Sequence, residues 1–146
     1  MKKALSLFIC CIIFIGCFQT ASLAYDGEAS QITPYNNNTI STNVSFVISD
    51  DGIATIILNY VGYQGTTTGA TITTKLQKKF LLFFWQDVDI GTADNVWVDE
   101  SSDYRYSTSH SIALSKKGTY RVQVEYQIRG TGGATDVITL EKEAEY

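Results

Sequence analysis

The stretch Thr119-Tyr120-Arg121-Val122-Gln123-Val124-Glu125-Tyr126-Gln127-Ile128-Arg129 decides the fold of this chain. Tyr120, Val122, Val124, Tyr126 and Ile128 alternate with six polar residues, the pattern of an antiparallel strand with one buried and one wet face. A period of two puts every apolar side chain on one side, whereas a helix would scatter them around its axis. Upstream, Ser109 to Leu114 carries Ile112 and Leu114 on one side, and Lys116-Lys117-Gly118 turns the chain into the decisive strand. Downstream, Gly130 to Gly133 turns it out again and Asp136 to Lys142 closes the chain.

The same punctuation continues toward the N-terminus. Val44 to Ser49 and Ile53 to Tyr60 flank Asp50-Asp51-Gly52, which reads as a hairpin turn. Ala70 to Phe80 follows the loop Gly65 to Gly69 and sets Ile72, Leu76 and Phe80 on one face, interrupted by Thr74 and Lys78; Val96 to Asp99 is a short edge strand. About seven strands with no helical pattern between them predict an all-β fold, a single antiparallel β-sandwich over 44–146. One segment is ambiguous. Leu76, Phe80, Phe83 and Phe84 fall on a helical stripe, while Phe80 to Trp85 is a continuous apolar run suited to a buried strand. The strand is preferred and the run is expected to be covered, because exposed it would be an aggregation site or an interface. Tyr120, Tyr126 and Trp85 are assigned to the core.

Residues 1–24 read as a cleaved signal peptide: Lys2 and Lys3, an apolar stretch from Ala4 to Phe18, and Ser22-Leu23-Ala24 before a mature start at Tyr25. The alternative is a lipoprotein acylated at Cys17, since Ile15-Gly16-Cys17 partly matches a lipobox. Cys10, Cys11 and Cys17 all lie in this leader, so the exported chain has no thiol, no disulfide and no soft metal ligand. It keeps 122 residues with nine Lys and Arg against fifteen Asp and Glu, a formal charge of −6. That balance argues against nucleic-acid or membrane-surface binding, and the leader leaves no membrane span in the mature chain. Residues 25–43, rich in Asn, Thr and Ser, read as a flexible lead-in, and the sequons at Asn37 and Asn43 as chance. The expected location is extracellular or on the cell wall of a Gram-positive bacterium.

Leu114, Gly118, Tyr120 and Val122 form an L-x-x-x-G-x-Y-x-V pattern. It resembles the tyrosine corner of immunoglobulin-like and fibronectin type III-like sandwiches, in which a tyrosine at the start of strand F bonds back to the backbone. Val122 stands where an immunoglobulin domain has its second cysteine, which removes the disulfide subclass. Lys75 to Phe80 running on to Trp85, with Gly118-Thr119-Tyr120, also resembles a group of small secreted clostridial (Firmicute) proteins of unknown function. The resemblance implies a fold and no activity.

Three polar or aromatic groups are candidate sites. Asp87, Asp89 and Asp94 open an acidic segment that reaches Asp103, which would suit an irregular Ca²⁺ site; Thr92 and Val98 break the EF-hand pattern, and a solvated loop is the simpler reading. His110, the only imidazole, has serines nearby but no nucleophile-elbow motif, and Asp87 with Asp99 or Glu100 would serve a glycosidase only at ~5–9 Å. Trp97, Tyr104 and Tyr106 lie in polar sequence and are the candidates for a glycan-stacking platform. The inventory favours a secreted module without catalysis or cofactor, binding a protein, a wall polymer or glycan, or a copy of itself. Its expected surfaces are the outer face of 119–129 and the segment from Trp97 to Tyr106.

Overall fold

Eight strands and no helix make up residues 36–146, which are the residues that the computed structural model describes. The segment read as a signal peptide, with its lipobox-like Cys17, and most of the segment read as a lead-in lie outside them. In order the strands are β1 (Thr39–Ile48), β2 (Ile53–Gly62), β3 (Thr67–Phe80), β4 (Phe84–Asp87), β5 (Val96–Ser101), β6 (Arg105–Ala113), β7 (Thr119–Gly130) and β8 (Asp136–Glu145). They form two antiparallel sheets, one ordered β1-β2-β6 and the other β4-β3-β7-β8, with β5 pairing β3 on the same edge as β4. The arrangement is sandwich-like.

The alternation in β7 does what its pattern requires. Tyr120, Val122, Val124, Tyr126 and Ile128 are buried, and so are Ala70, Ile72 and Leu76 opposite them on β3. Ala54, Ile56, Leu58 and Tyr60 of β2, with Val44 and Phe46 of β1, complete the core from the other sheet. Each large side chain buried this way contributes ~1.5–3 kcal/mol toward holding the two sheets together. At the β1–β2 turn, Gly52 takes φ +78°, the positive value that this hairpin needs and that glycine adopts freely.

Four expectations change. The first strand starts at Thr39, five residues before Val44, within the segment assigned to the lead-in. Asn38 and Thr39 are buried there, because Asp136 accepts hydrogen bonds from the Asn37 and Asn38 amides at 3.0 and 2.8 Å and from the Thr39 hydroxyl at 2.8 Å. The additional strand is β4, folded back on β3 where one continuous run was expected, and the helical alternative over 76–85 is not adopted. The apolar run is not covered: Phe80 to Phe84 are all exposed. Finally, Trp85 is outside the core, since its pairing with Lys79 places it on the outer face of its sheet.

Candidate functional site

The β3–β4 hairpin carries the least expected surface of the molecule. β3 pairs β7 from Thr67 to Lys78 and then runs past it, because Lys78↔Tyr120 is the last pair of that ladder. Beyond it Phe80 pairs Phe84, and Leu81, Leu82 and Phe83 make the turn. Phe80 is 57% exposed, Leu81 70%, Leu82 77%, Phe83 82% and Phe84 65%. Three Phe and two Leu that are each more than half exposed offer on the order of 600 Å² of apolar surface. That is at or above the ~300–600 Å² of the largest patch on a typical monomer, so it is a feature to explain rather than ordinary scatter. At ~25 cal/mol per Å², removing all of it from water would be worth on the order of 15 kcal/mol before the costs of association.

The turn is also strained. Leu81 has φ +56°, a left-handed conformation costing ~1–2 kcal/mol for a residue with a side chain. Glycine or asparagine would relieve it. A sequence that keeps five exposed apolar residues in a row, one of them strained, gives up stability at this tip, and such local conflicts cluster at functional sites.

Behind the tip lies a cationic stalk. The Arg121 guanidinium sits 4.4 Å from the Trp85 ring centroid and the Lys79 ammonium 5.6 Å from it. Gln77 Oε1 accepts from Arg121 Nε and Nη2 at 3.0 and 2.7 Å, and Glu141 lies 3.5 Å from Nη1. Lys78, on the inner side, reaches over the Tyr120 ring at 5.6 Å. The Tyr120 hydroxyl in turn donates to the Lys116 carbonyl, the upstream backbone bond expected of the Leu114, Gly118 and Tyr120 pattern.

The three groups singled out by sequence are dispersed. Trp97 and Tyr106 belong to different sheets and both turn inward, since their strand partners are the buried Thr74 and Tyr60. Trp97 stacks on His110 with ring centroids 4.9 Å apart, and Tyr106 leans on Tyr60 at 6.4 Å. Tyr104 stands apart with Arg105 over its ring at 4.6 Å. The expected exposed platform is therefore not assembled, because strand parity turns two of its members toward the core.

Asp87 accepts from Gln77 at 2.8 Å and pairs Lys75 at 3.3 Å; the Gln77 bond and the Lys75 charge hold its carboxyl below the usual range. Asp89 accepts from the Gly91 amide at 2.9 Å, and Asp94 is exposed. Among the described residues no three His, Cys, Asp or Glu side chains converge as a metal site. The glycosidase geometry is not assembled either. Asp87 and Asp99 lie on opposite faces of their sheet, as their partners Gln77 and Ile72 do. Glu100 shares the Asp87 face but pairs Thr71, six residues along β3 from Gln77, or roughly 20 Å at ~3.3 Å per residue. His110 Nε2 meets Asp99 at 2.7 Å between the sheets, while Ser107, Ser109 and Ser111 alternate to the opposite face. No helix of the described residues is long and apolar enough to cross a membrane.

No family model, no curated protein and no solved structure matches this chain. Sequence reasoning did find the Phe80–Trp85 run, but the overshoot of β3 that leaves it bare depends on pairing with β7, forty residues away.

Proposed function

We propose that this is a secreted, non-catalytic interaction module, a fibronectin type III-like sandwich that presents the β3–β4 tip as its contact surface. The observation that carries the reading is the uninterrupted exposure of Phe80 to Phe84 at a strained turn. Support for the fold type comes from the strand order. With β4 and β5 together standing as strand C′, the sheets β1-β2-β6 and β4-β3-β7-β8 follow the sequence A-B-E and C′-C-F-G, and the Tyr120 bond sits at the start of strand F. The resemblance of residues 75–85 and 118–120 to small secreted clostridial proteins accords with export. Outside the tip, the outer face of β7 is a polar ladder: Gln123 donates to Glu141 at 2.9 Å and Arg129 to Thr71 at 2.9 Å, so it offers little unmet bonding.

The test is photo-crosslinking on intact secreting cells, with benzoylphenylalanine replacing Phe83 in one protein and Ser109, on the outer face of the other sheet, in a second. Adducts with protein or lipid of the cell envelope from position 83, absent from position 109, support the reading. No adduct at 83, or equal adducts at both, overturns it.

A further inference from the structure

We infer that the tip meets an anionic phospholipid bilayer, with Phe80 to Phe84 entering the headgroup region and Trp85 at its boundary; this rests on the reading of the tip as the contact surface. Shape is the first argument. Five consecutive apolar residues, each more than half exposed, surround a three-residue turn that projects past the neighbouring strand β7, so the apolar surface is a protrusion and not a groove. A protein partner would have to enclose it in a deep pocket, whereas a fluid layer of lipid accepts an apolar wedge without a preformed shape. The tip runs three residues beyond Lys78↔Tyr120, roughly 10 Å at ~3.3 Å per residue. That reach matches the ~5–10 Å to which interfacial segments bury their apolar faces.

The order of side chains along the hairpin is the second argument. Apolar residues occupy the end, Trp85 and Lys79 stand opposite each other one step back, and Lys78 and Arg121 follow. Indole rings settle at the headgroup level of a bilayer, and lysine and arginine lay their stems along apolar surface with the charge among phosphates. Trp85, between Lys79 and Arg121, has this combination on the outer face of its sheet.

Charge placement is the third. From Lys75 to Gln86 the hairpin carries Lys75, Lys78 and Lys79 and no acid, and the first acid after it, Asp87, is engaged by Gln77 and Lys75. The β6–β7 turn at the same end adds Lys116 and Lys117. Acids at this end are Asp50 and Asp51 of the β1–β2 turn, Asp89 near Lys116, and Glu141, Glu143 and Glu145 of β8; Glu141 lies 3.5 Å from Arg121, so the unmatched positive charge of the tip rests on Lys78 and Lys79. The expectation drawn from a net charge of −6, that a membrane surface would be avoided, thus averages over a molecule whose protruding element is basic. Attraction of such an element to anionic lipid acts within about a Debye length, ~8 Å at physiological salt, so the local charge counts most.

The experiment is vesicle co-sedimentation of a chain starting at Tyr25, which retains both sheets and the whole core, at physiological salt. The vesicles are equimolar phosphatidylglycerol and phosphatidylcholine, with phosphatidylcholine alone as the neutral arm. Wild type is expected to bind the anionic vesicles at least tenfold more tightly than Leu82→Ser/Phe83→Ser. Lys79→Glu is expected to lose several-fold affinity on the anionic vesicles only. Brominated acyl chains are expected to quench tryptophan emission in wild type and not in Trp85→Phe. Failure of wild type to bind, equal binding by the double variant, or pelleting of wild type without vesicles, which would indicate a second copy on the tip, overturns the inference. A protein adduct at position 83 together with absent vesicle binding would remove the lipid and leave the tip as the contact surface.

Discussion

Asp136 Oδ2 accepts the backbone amide of Asn38 at 2.8 Å across 98 residues of sequence, and this bond fastens the start of β1 to the start of β8. The same carboxylate takes the Asn37 amide and the Thr39 hydroxyl. Asn38 completes the junction, donating to the Ala134 carbonyl at 2.8 Å and accepting from the Gly132 amide at 3.2 Å. Only glycine fits beside it at position 130, where an added Cβ would lie 2.4 Å from Asn38 Oδ1 and 2.5 Å from the Thr66 carbonyl. Asp136→Ala strands three donors, two of them in a buried setting, and each orphaned buried donor costs ~1–3 kcal/mol. A loss of about 3 kcal/mol is expected in urea unfolding, with Asp136→Asn milder; an unchanged midpoint would mean that the junction is not built this way.

This junction leaves little local trace in the sequence. Thr119 to Arg129 was legible because its two faces meet different solvents, which writes a period of two directly into the residues. Asn37-Asn38-Thr39 has no such signature, since its burial is satisfied by a carboxylate almost a hundred residues away, and local composition makes it look like a solvated lead-in. The glycines at 130, 132 and 133 beside Asp136 are the one hint that a backbone passes close by. Trp85 reads as a core residue in an apolar run, but side-chain parity restarts at the turn, and the Phe80↔Phe84 pair determines that Trp85 faces outward with Lys79. Trp97 went the opposite way, since polar neighbours suggested exposure while pairing with Thr74 turned it toward His110.

Alkali should weaken the fold through its buried phenols. Burial pushes the Tyr126 hydroxyl from its usual 10 up to about 12, and burial also raises Tyr60 and Tyr120. Between pH 10 and 12 the unfolded chain has released a proton that native Tyr126 still holds, so stability is fully present below pH 10 and falls as pH rises through this window. Two units correspond to on the order of 3 kcal/mol from Tyr126. Urea unfolding from pH 9 to 12 measures the slope. Tyr126→Phe is expected to flatten it while losing about 1 kcal/mol at pH 8 with the bond to the Asn43 carbonyl; a slope as steep as wild type would contradict the assignment.

Leu81→Gly should separate folding from contact. Glycine relieves the left-handed backbone at φ +56° but adds chain entropy to the unfolded state, so a net gain of up to about 1 kcal/mol in thermal unfolding is expected. The same variant removes one exposed apolar residue from the tip, and crosslinking through position 83 should weaken. Stability and contact moving down together would mean that Leu81 belongs to the fold and not to its surface.

A contact role for the tip requires that it lie outside the core, free to touch something else. Unfolding free energies of wild type and Leu82→Ser/Phe83→Ser, compared in urea under identical conditions, test this most directly. Residues exposed at 77% and 82% should change stability by no more than about 0.5 kcal/mol each. A combined loss of about 3 kcal/mol or more would show that both side chains are packed within this fold, and would contradict the placement of the contact surface.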